Sequence, residues 1–422
     1  MKSAHLWIHL RECRMGVINT IQQPTNSHII NYCTLINYQD QKYDVTQIMQ
    51  KLVIYEDLIG NGYQHGTIAM LDDNALHLNL PLVGQEWLEV SFKTRLDGGY
   101  IGKTEYIKRY KITSIKDLSK QKDNSNQVLV LNFVSAAYWA SESNLFSKSY
   151  SNALTSEIVY DLMKEGLGFE IDVEPTLYPR NWIIPNIQAF DFIYRLTNES
   201  TSKENLSSDY RFYENIDGYH FKSVFTLAEA DFNQRLNINI NNVTEYDRLK
   251  VGEQKKDIHF DLPRQARGGI AMTYAELDTF QKRAITTDLD YTEFRVEFKG
   301  MNLESVYMDK LDYPRDMHYR LGSGNQVYQA NREANINQRI KRVMNRALMD
   351  ASEGTVKLPG NIDLKLGDTV YFDFTYNGQI DQTTSGKYLI CKIKHEIALN
   401  DYNMTLNIRK DSNVKGEKVE GR

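Results

Sequence analysis

One strand pair occurs twice in this chain, near each end, and that repetition constrains the fold more than any other feature. In the C-terminal half it reads Gly386-Lys-Tyr-Leu-Ile-Cys-Lys-Ile-Lys-His-Glu-Ile397, a short polar gap, then Tyr402-Asn-Met-Thr-Leu-Asn-Ile408. In the N-terminal half it reads Tyr110-Lys-Ile-Thr-Ser-Ile-Lys-Asp-Leu118, a longer polar gap, then Gln127-Val-Leu-Val-Leu-Asn-Phe133. Tyr110, Ile112, Ile115 and Lys116 match Tyr388, Ile390, Ile393 and Lys394 at one offset of 278 residues (388 − 110). Leu80-Pro81 and Leu358-Pro359 share that offset. Each is followed by a Gly and an alternating strand: Leu88, Val90, Phe92 in the first copy and Val370, Phe372, Phe374 in the second. Downstream, Leu131-Asn132-Phe133 matches Leu406-Asn407-Ile408 at 275 (406 − 131), so the gap has shortened. The pattern is one antiparallel β-unit used twice. A chain with two copies of one interaction domain can build a six-fold-like ring from three subunits.

The chain of 422 residues has room for about two to four domains and a sizeable core. Its 27 tyrosines, against 16 Phe and 4 Trp, suit half-buried strands and protein–protein contacts, since each offers an apolar body and a polar tip. A net charge of −5 argues against nucleic-acid binding by charge neutralisation, which needs a basic footprint. It is compatible with a surface along which DNA slides without being held. Cys13, Cys33 and Cys391 are too scattered for a disulfide framework or a zinc site, so a reducing compartment is expected. No apolar run reaches transmembrane length, and no membrane insertion is expected. Met1–Cys13 carries His5, His9, Arg11 and Glu12 inside its apolar patch and makes a poor signal peptide. Residues 1–28 are read as a leader, with Met15-Gly16 a candidate true start.

The fold class expected is α+β and mostly β. Two homologous antiparallel β-barrel domains, residues 29–136 and 249–410, flank an α+β domain at 137–248, and a charged tail occupies 411–422. In the first unit Asn61-Gly62, Asp72-Asp73-Asn74 and Asp97-Gly98-Gly99 mark turns between alternating strands. Ser147–Ser151 reads as a junction and Asn152–Gly166 as a helix capped by Gly166. Pro175, Pro179 and Pro185 break the next stretch into loops around Trp182-Ile183-Ile184. Asn186 is placed to cap a helix that buries Phe190, Ile193 and Thr197. Tyr210–Tyr213 and Tyr219–Val224 form a hairpin around Asn215-Ile-Asp-Gly218. Tyr291–Phe298 is a strand. Ala330–Ala351 is a helix with Ile336, Ile340, Val343 and Ala347 as its stripe and Gly354 as its stop.

Catalytic patterns are absent. Ser385-Gly386-Lys387 ends like a phosphate loop, but Tyr388 stands where Ser or Thr belongs and Asp381 where glycine belongs, so it reads as a turn. His65 and His77 lack a third ligand at metal spacing. Asp288 and Asp290 lack the Gly and Glu of a calcium loop. No Ser or Cys sits in a nucleophile motif. No catalytic, cofactor-binding or metal-binding residue is therefore assigned. Arg339, Arg342 and Arg346 line one helix face, and are expected to meet carboxylates of a neighbouring protein rather than DNA.

Several segments together resemble the baseplate central hub proteins of tailed bacteriophages, and the hub half of type VI secretion spike proteins. They are Ile54-Tyr-Glu-Asp-Leu58 with His65-Gly-Thr-Ile68, and Leu80-Pro-Leu-x-Gly-x-Glu86 with Val90-Ser-Phe-Lys-Thr94. Further on stand Ile183-Ile-Pro-Asn186 with Ala189-Phe-Asp-Phe-Ile193, Arg211-Phe-Tyr-Glu214 with Gly218-Tyr-His-Phe221, and Ser385-Gly-Lys-Tyr388 with Ile393-x-His395. Order and spacing over roughly residues 29–410 carry the resemblance, since no single motif is specific. It implies two homologous barrels and a homotrimeric pseudo-six-fold ring. That ring would join the tail tube to a central spike, touch baseplate wedge and tape-measure proteins, and let DNA pass without specific binding. It implies a virion protein assembled in the host cytoplasm that acts by assembly, without cofactors or enzyme activity. The alternatives are a secretion-spike hub and a tail-associated cell-wall hydrolase.

Overall fold

The computed structural model describes residues 24–72, 86–96, 101–120, 127–239, 255–260, 272–278, 283–289, 301–302, 304–305, 316–321, 342, 345–346, 349, 352–376, 379–382, 384–399 and 401–413. Residues 1–23, Leu80-Pro81, His77, Asp290, Tyr291–Phe298, Arg339, the stripe Ile336, Ile340, Val343 and Ala347, and residues 414–422 lie outside them.

The first β-unit contains β1 (Pro24–Ile36), β2 (Lys42–Asp44), β3 (Met49–Asp57), β4 (His65–Asp72), β5 (Trp87–Leu96), β6 (Ile101–Lys120) and β7 (Gln127–Ser135). Period-2 alternation places Ile68, Met70, Leu88, Val90 and Phe92 in the core. The turn at Asn61-Gly62 is observed, with Gly62 at φ 65. β1 begins at Pro24, ahead of the boundary expected at residue 29.

The middle part opens with α1 (Ala136–Glu142), capped by the Ser135 hydroxyl. β8 (Phe146–Ala153) then runs through the expected Ser-rich junction and pairs with β10 (Arg180–Ile187). The apolar segment Trp182–Ile184 is strand, and the strand continues through Pro185, where a loop was expected. Pro185 is tolerated because the ladder has only two strands and shifts register between Pro185 and Ile187. Helix α2 (Thr155–Tyr160) runs into a π-helical turn, Asp161–Leu167, and the cap is Gly168 at φ 81 rather than Gly166. Helix α3 (Ala189–Thr197) buries Phe190, Ile193 and Thr197 as expected. Gln188 takes its N-cap position, while Asn186 sits in the left-handed region at φ 57. The hairpin β11 (Tyr210–Asn215) and β12 (Gly218–Ser223) turns where expected, with β9 (Ile171–Val173) parallel to β12. Helix α4 (Val224–Glu229) follows. These elements enclose a core of their own around Ile158, Leu162, Phe190, Phe212 and Phe221.

The second β-unit brings together β13 (Gln234–Asn239), β14 (Lys255–Phe260), β19 (Ser352–Pro359), β20 (Thr369–Tyr376), β21 (Gln379–Ile380), β22 (Gly386–Ala398) and β23 (Tyr402–Arg409). Between them lie a separate sheet of β15 (Met272–Asp278), β16 (Arg283–Leu289) and β18 (Asp316–Leu321), and β17 (Glu304–Ser305), which pairs with β24 (Ser412–Asn413).

The repeat is visible in the hydrogen-bonded register. Leu88 faces Tyr110 across β5 and β6, and Val370 faces Tyr388 across β20 and β22. Ile112 faces Phe133 and Ile115 faces Leu131, as Ile390 faces Ile408 and Ile393 faces Leu406. A bulge follows Ile112 in one ladder and Ile390 in the other. On the far side Gly66 faces Phe133 as Gly354 faces Ile408. The order β3-β4-β7-β6-β5 thus recurs as β14-β19-β23-β22-β20. Two details differ from the sequence matches. Met70 occupies the place equivalent to Leu358, because it faces Leu129 as Leu358 faces Met404, while Leu80-Pro81 lies outside the described residues. A second bulge, between Ile115 and Asp117, takes Lys116 out of register with Lys394. The flanks also diverge, since β1 is antiparallel to β5 whereas β13 is parallel to β20.

Both units belong to one sheet of 14 strands, joined where β3 pairs with β22. Among the described residues no sheet closes on itself, so two separate closed barrels are not what is seen.

Candidate functional site at the junction of the two β-units

The seam between the units is antiparallel and runs from the pair Lys392 and Asp57 to the pair Ala398 and Lys51. On its outer face Lys51 meets Glu396 at 2.7 Å and Lys392 meets Asp57 at 3.1 Å. Half-exposed pairs like these contribute little each, but they favour one register over a slipped one. On the inner face period-2 alternation carries Leu52, Ile54 and Glu56 from one strand and Ile393, His395 and Ile397 from the other.

Glu56 and His395 therefore stand in core positions, where a polar group is costly unless paired. The Gln64 amide donates to Glu56 at 2.6 Å, and Tyr110 donates to the Gln64 carbonyl at 2.9 Å. Tyr106 and Tyr110 share a hydrogen bond of 2.7 Å, and His395 Nδ1 pairs with the Tyr402 hydroxyl at 2.8 Å. Hairpin β11–β12 joins through Glu214, which accepts from the Gln64 backbone N–H at 3.1 Å and meets Lys108 at 3.3 Å. Burial raises the pKa of Tyr106, Tyr110 and Tyr402 well above the usual phenol range, so they act as neutral donors. Burial likewise raises Glu214, against the pull of Lys108. Hydrogen bonds join the first β-unit to the middle part, and the hydrogen-bonded pair His395–Tyr402 of the second unit packs against them, with His395 Nε2 3.6 Å from Glu56. None of these residues is a nucleophile set beside a base in a cleft. The available sequence signal was polarity at inward positions of alternating strands.

Two of the three helix arginines are engaged inside the chain, which corrects the expectation that they meet a neighbouring protein. Residues 342, 345, 346 and 349 are helical. Arg346 Nε donates to Asp209 at 2.8 Å and Arg342 donates to the Asn198 carbonyl. Asp209 is buried and also meets Arg211 at 3.3 Å and Asn345 at 3.3 Å. Ser385-Gly386-Lys387 is a turn into β22, as its departures from the phosphate-loop pattern imply. Ser385 Oγ accepts from the Phe374 N–H, and Lys387 Nζ donates to the Ala228 carbonyl at 2.7 Å, closing the end of α4. His65 stacks on Tyr55 with ring centroids 5.3 Å apart. Asp288 lies in β16. Among the described residues, no three His, Cys, Asp or Glu side chains gather as a metal site. Cys33 and Cys391 are free and buried, and burial pushes the Cys33 thiol up to about 12. No described helix is long and apolar enough to cross a membrane.

No protein-family profile matches the chain. A probable baseplate hub protein of Vibrio phage KVP40, gp334, is 21% identical over 394 residues, covering 86% of this chain and 89% of the relative. The fold matches a tail protein from Neisseria meningitidis MC58 with a TM-score of 0.56 at 11% identity, over 91% of this chain and 97% of that one. It also matches the 43 kDa tail protein of prophage MuSo2 from Shewanella oneidensis, with a TM-score of 0.52 at 10% identity, over 90% and 98% of the two chains. In sequence and in fold, along most of its length, the chain is similar to phage baseplate hub and tail proteins.

Proposed function

We propose that the chain is a baseplate hub subunit of a bacteriophage tail. Three copies form a ring of six β-units that joins the tail tube to a central spike and encloses a channel. One observation carries this reading: the five-strand core occurs twice with the same order and with a shared bulge after Ile112 and Ile390, in a register that agrees as far as Ile115 and Ile393. Three such chains give near-six-fold symmetry, which suits a hexameric tube on one face, and true three-fold symmetry, which suits a trimeric spike on the other. A sheet of 14 strands is long enough that twist must curl it, as a wall around a bore requires. Closure of the barrels, and the domain limits 29–136, 137–248 and 249–410, belong to this proposal.

The protein works by assembly. Wedge and tape-measure proteins are its further contacts, and the tail of the virion is its place. DNA crosses the bore without being held, because a net charge of −5 offers few cations to release counterions. The test is the mass of the purified chain together with particle images. A three-fold ring with a central hole is expected. A subunit that stays monomeric within assembled tails defeats the reading.

A further inference from the structure

The turn between β3 and β4 carries an asparagine followed by a glycine, Asn61-Gly62, where the first β-unit meets the middle part. An asparagine before glycine is prone to lose its side-chain amide, because no side chain on the second residue shields the backbone nitrogen that attacks it. Here the fold makes the glycine obligatory. Gly62 has φ 65, and a Cβ on it would stand inside contact distance of the Phe212 carbonyl oxygen and 3.1 Å from the Tyr194 hydroxyl. Asn61, by contrast, is exposed. Two sets of contacts hold the turn. Asp57 Oδ1 accepts the N–H groups of Ile59 and Gly60 at 2.8 Å each, and Tyr194 of α3 donates its hydroxyl to the Asn61 carbonyl. Burial raises the pKa of Tyr194, so the hydroxyl keeps its proton and stays a donor.

We infer that Asn61 is a site of spontaneous deamidation in the folded chain, assisted by the Tyr194 hydroxyl. The Gly62 backbone nitrogen gives its proton to water or hydroxide and attacks Asn61 Cγ. A bond forms between that nitrogen and Cγ, the bond from Cγ to the side-chain nitrogen breaks, and ammonia leaves with a proton taken back from solvent. The product is a succinimide. Water then opens the ring at either carbonyl, giving aspartate or, where the backbone is rerouted through Cγ, isoaspartate. Water is the only co-reactant. The demanding part is the first, since it puts negative charge on the amide that links Asn61 to Gly62. That charge spreads onto the Asn61 carbonyl oxygen, to which the Tyr194 hydroxyl already donates, and a hydrogen bond to the charged form favours that form. The outcome matters because of where the turn sits. Isoaspartate lengthens the backbone by a methylene and displaces the carbonyl that Tyr194 holds, while Gly62 has no room to follow against Phe212. The joint of the β3–β4 turn with α3 and β11 therefore loosens as the protein ages.

The test holds the full chain folded at mildly alkaline pH and physiological temperature, beside the same chain unfolded in urea. Peptide mass mapping follows, with fragmentation that separates isoaspartate from aspartate. Isoaspartate at residue 61 is expected to accumulate in the folded chain at least as fast as in urea. Tyr194→Phe keeps the ring and removes the hydroxyl, so it should slow the folded rate several-fold and leave the rate in urea unchanged. A folded chain that keeps Asn61 intact while the unfolded chain loses it overturns the site, because the fold then protects the turn. Equal rates in folded Tyr194→Phe and the parent chain overturn the assisting role of the hydroxyl. The comparison with urea needs no variant, so it decides the matter even where Tyr194→Phe fails to fold.

Discussion

His395 Nε2 lies 3.6 Å from a carboxylate oxygen of Glu56, and neither side chain reaches solvent. The two residues come from different β-units, 339 positions apart (395 − 56), and meet only because β3 and β22 pair. Replacing Glu56 by Ala removes the acceptor of the Gln64 side-chain amide and the carboxylate packed beside the imidazole. Leaving buried polar groups unpaired costs about 1–3 kcal/mol each, so a loss of roughly 2–4 kcal/mol is expected. Urea denaturation followed by fluorescence reads it. A loss below about 0.5 kcal/mol would mean that the network contributes no stability.

The repeat was legible because its strands alternate cleanly and carry the same apolar residues at constant spacing. What could not be read was how the copies join. Register within a hairpin is set locally, whereas the pairing of β3 with β22 depends on two strands distant in sequence. Glu56 and His395 looked like ordinary polar residues in segments whose inward face was otherwise apolar. The middle part misled through proline: Pro185 signals a loop, yet a two-stranded ladder with a bulge accommodates it. The helix arginines misled through charge, since Asp209 lies far away in sequence and its burial is a tertiary fact.

Asp209 anchors the helical segment around Arg346 to hairpin β11–β12. Its carboxylate is almost fully buried, while Arg346 keeps about a third of its side chain exposed. Replacing Arg346 by Gln leaves the carboxylate with Arg211 and Asn345 only. Because solvent screens the exposed arginine, the expected loss is about 1–2 kcal/mol rather than the larger cost of a fully buried pair. Hydrogen exchange should quicken around residues 342–349 while the native mass stays unchanged. A change of oligomeric state without faster exchange would return the arginine to an intersubunit role.

Gly66 makes room for two neighbours at once. A Cβ there would stand inside contact distance of the Val53 carbonyl oxygen and 2.6 Å from the Phe133 ring. The carbonyl cannot move without breaking the ladder between β3 and β4, so Gly66→Ala is expected to cost about 2–3 kcal/mol. Gly168 offers a contrast within the chain. Its φ of 81 would strain any side chain placed there, but open space surrounds it, so Gly168→Ala should cost only about 1 kcal/mol. Equal losses in the two variants would show that crowding at Gly66 relaxes away.

His220 gives the protein an acid-sensitive point away from the seam. Its ring stacks on Tyr213 with centroids 5.0 Å apart, and Nε2 meets the Asn215 side-chain oxygen at 2.9 Å. Burial, with Lys222 nearby, lowers its basicity below the ordinary 6.5, although Asp172 at 3.4 Å pulls the other way. The unfolded chain therefore takes up the proton first as pH falls below 6.5. In that window the unfolded state binds more protons than the folded one, so stability rises with pH and is lost on acidification. Above 6.5 the imidazole is neutral in both states and its contribution is flat. Urea midpoints measured from about pH 7 to about pH 5.5 should fall, and His220→Gln should flatten that part of the slope while keeping an amide able to reach Asn215. An unchanged slope in the variant would assign the acid sensitivity to other groups.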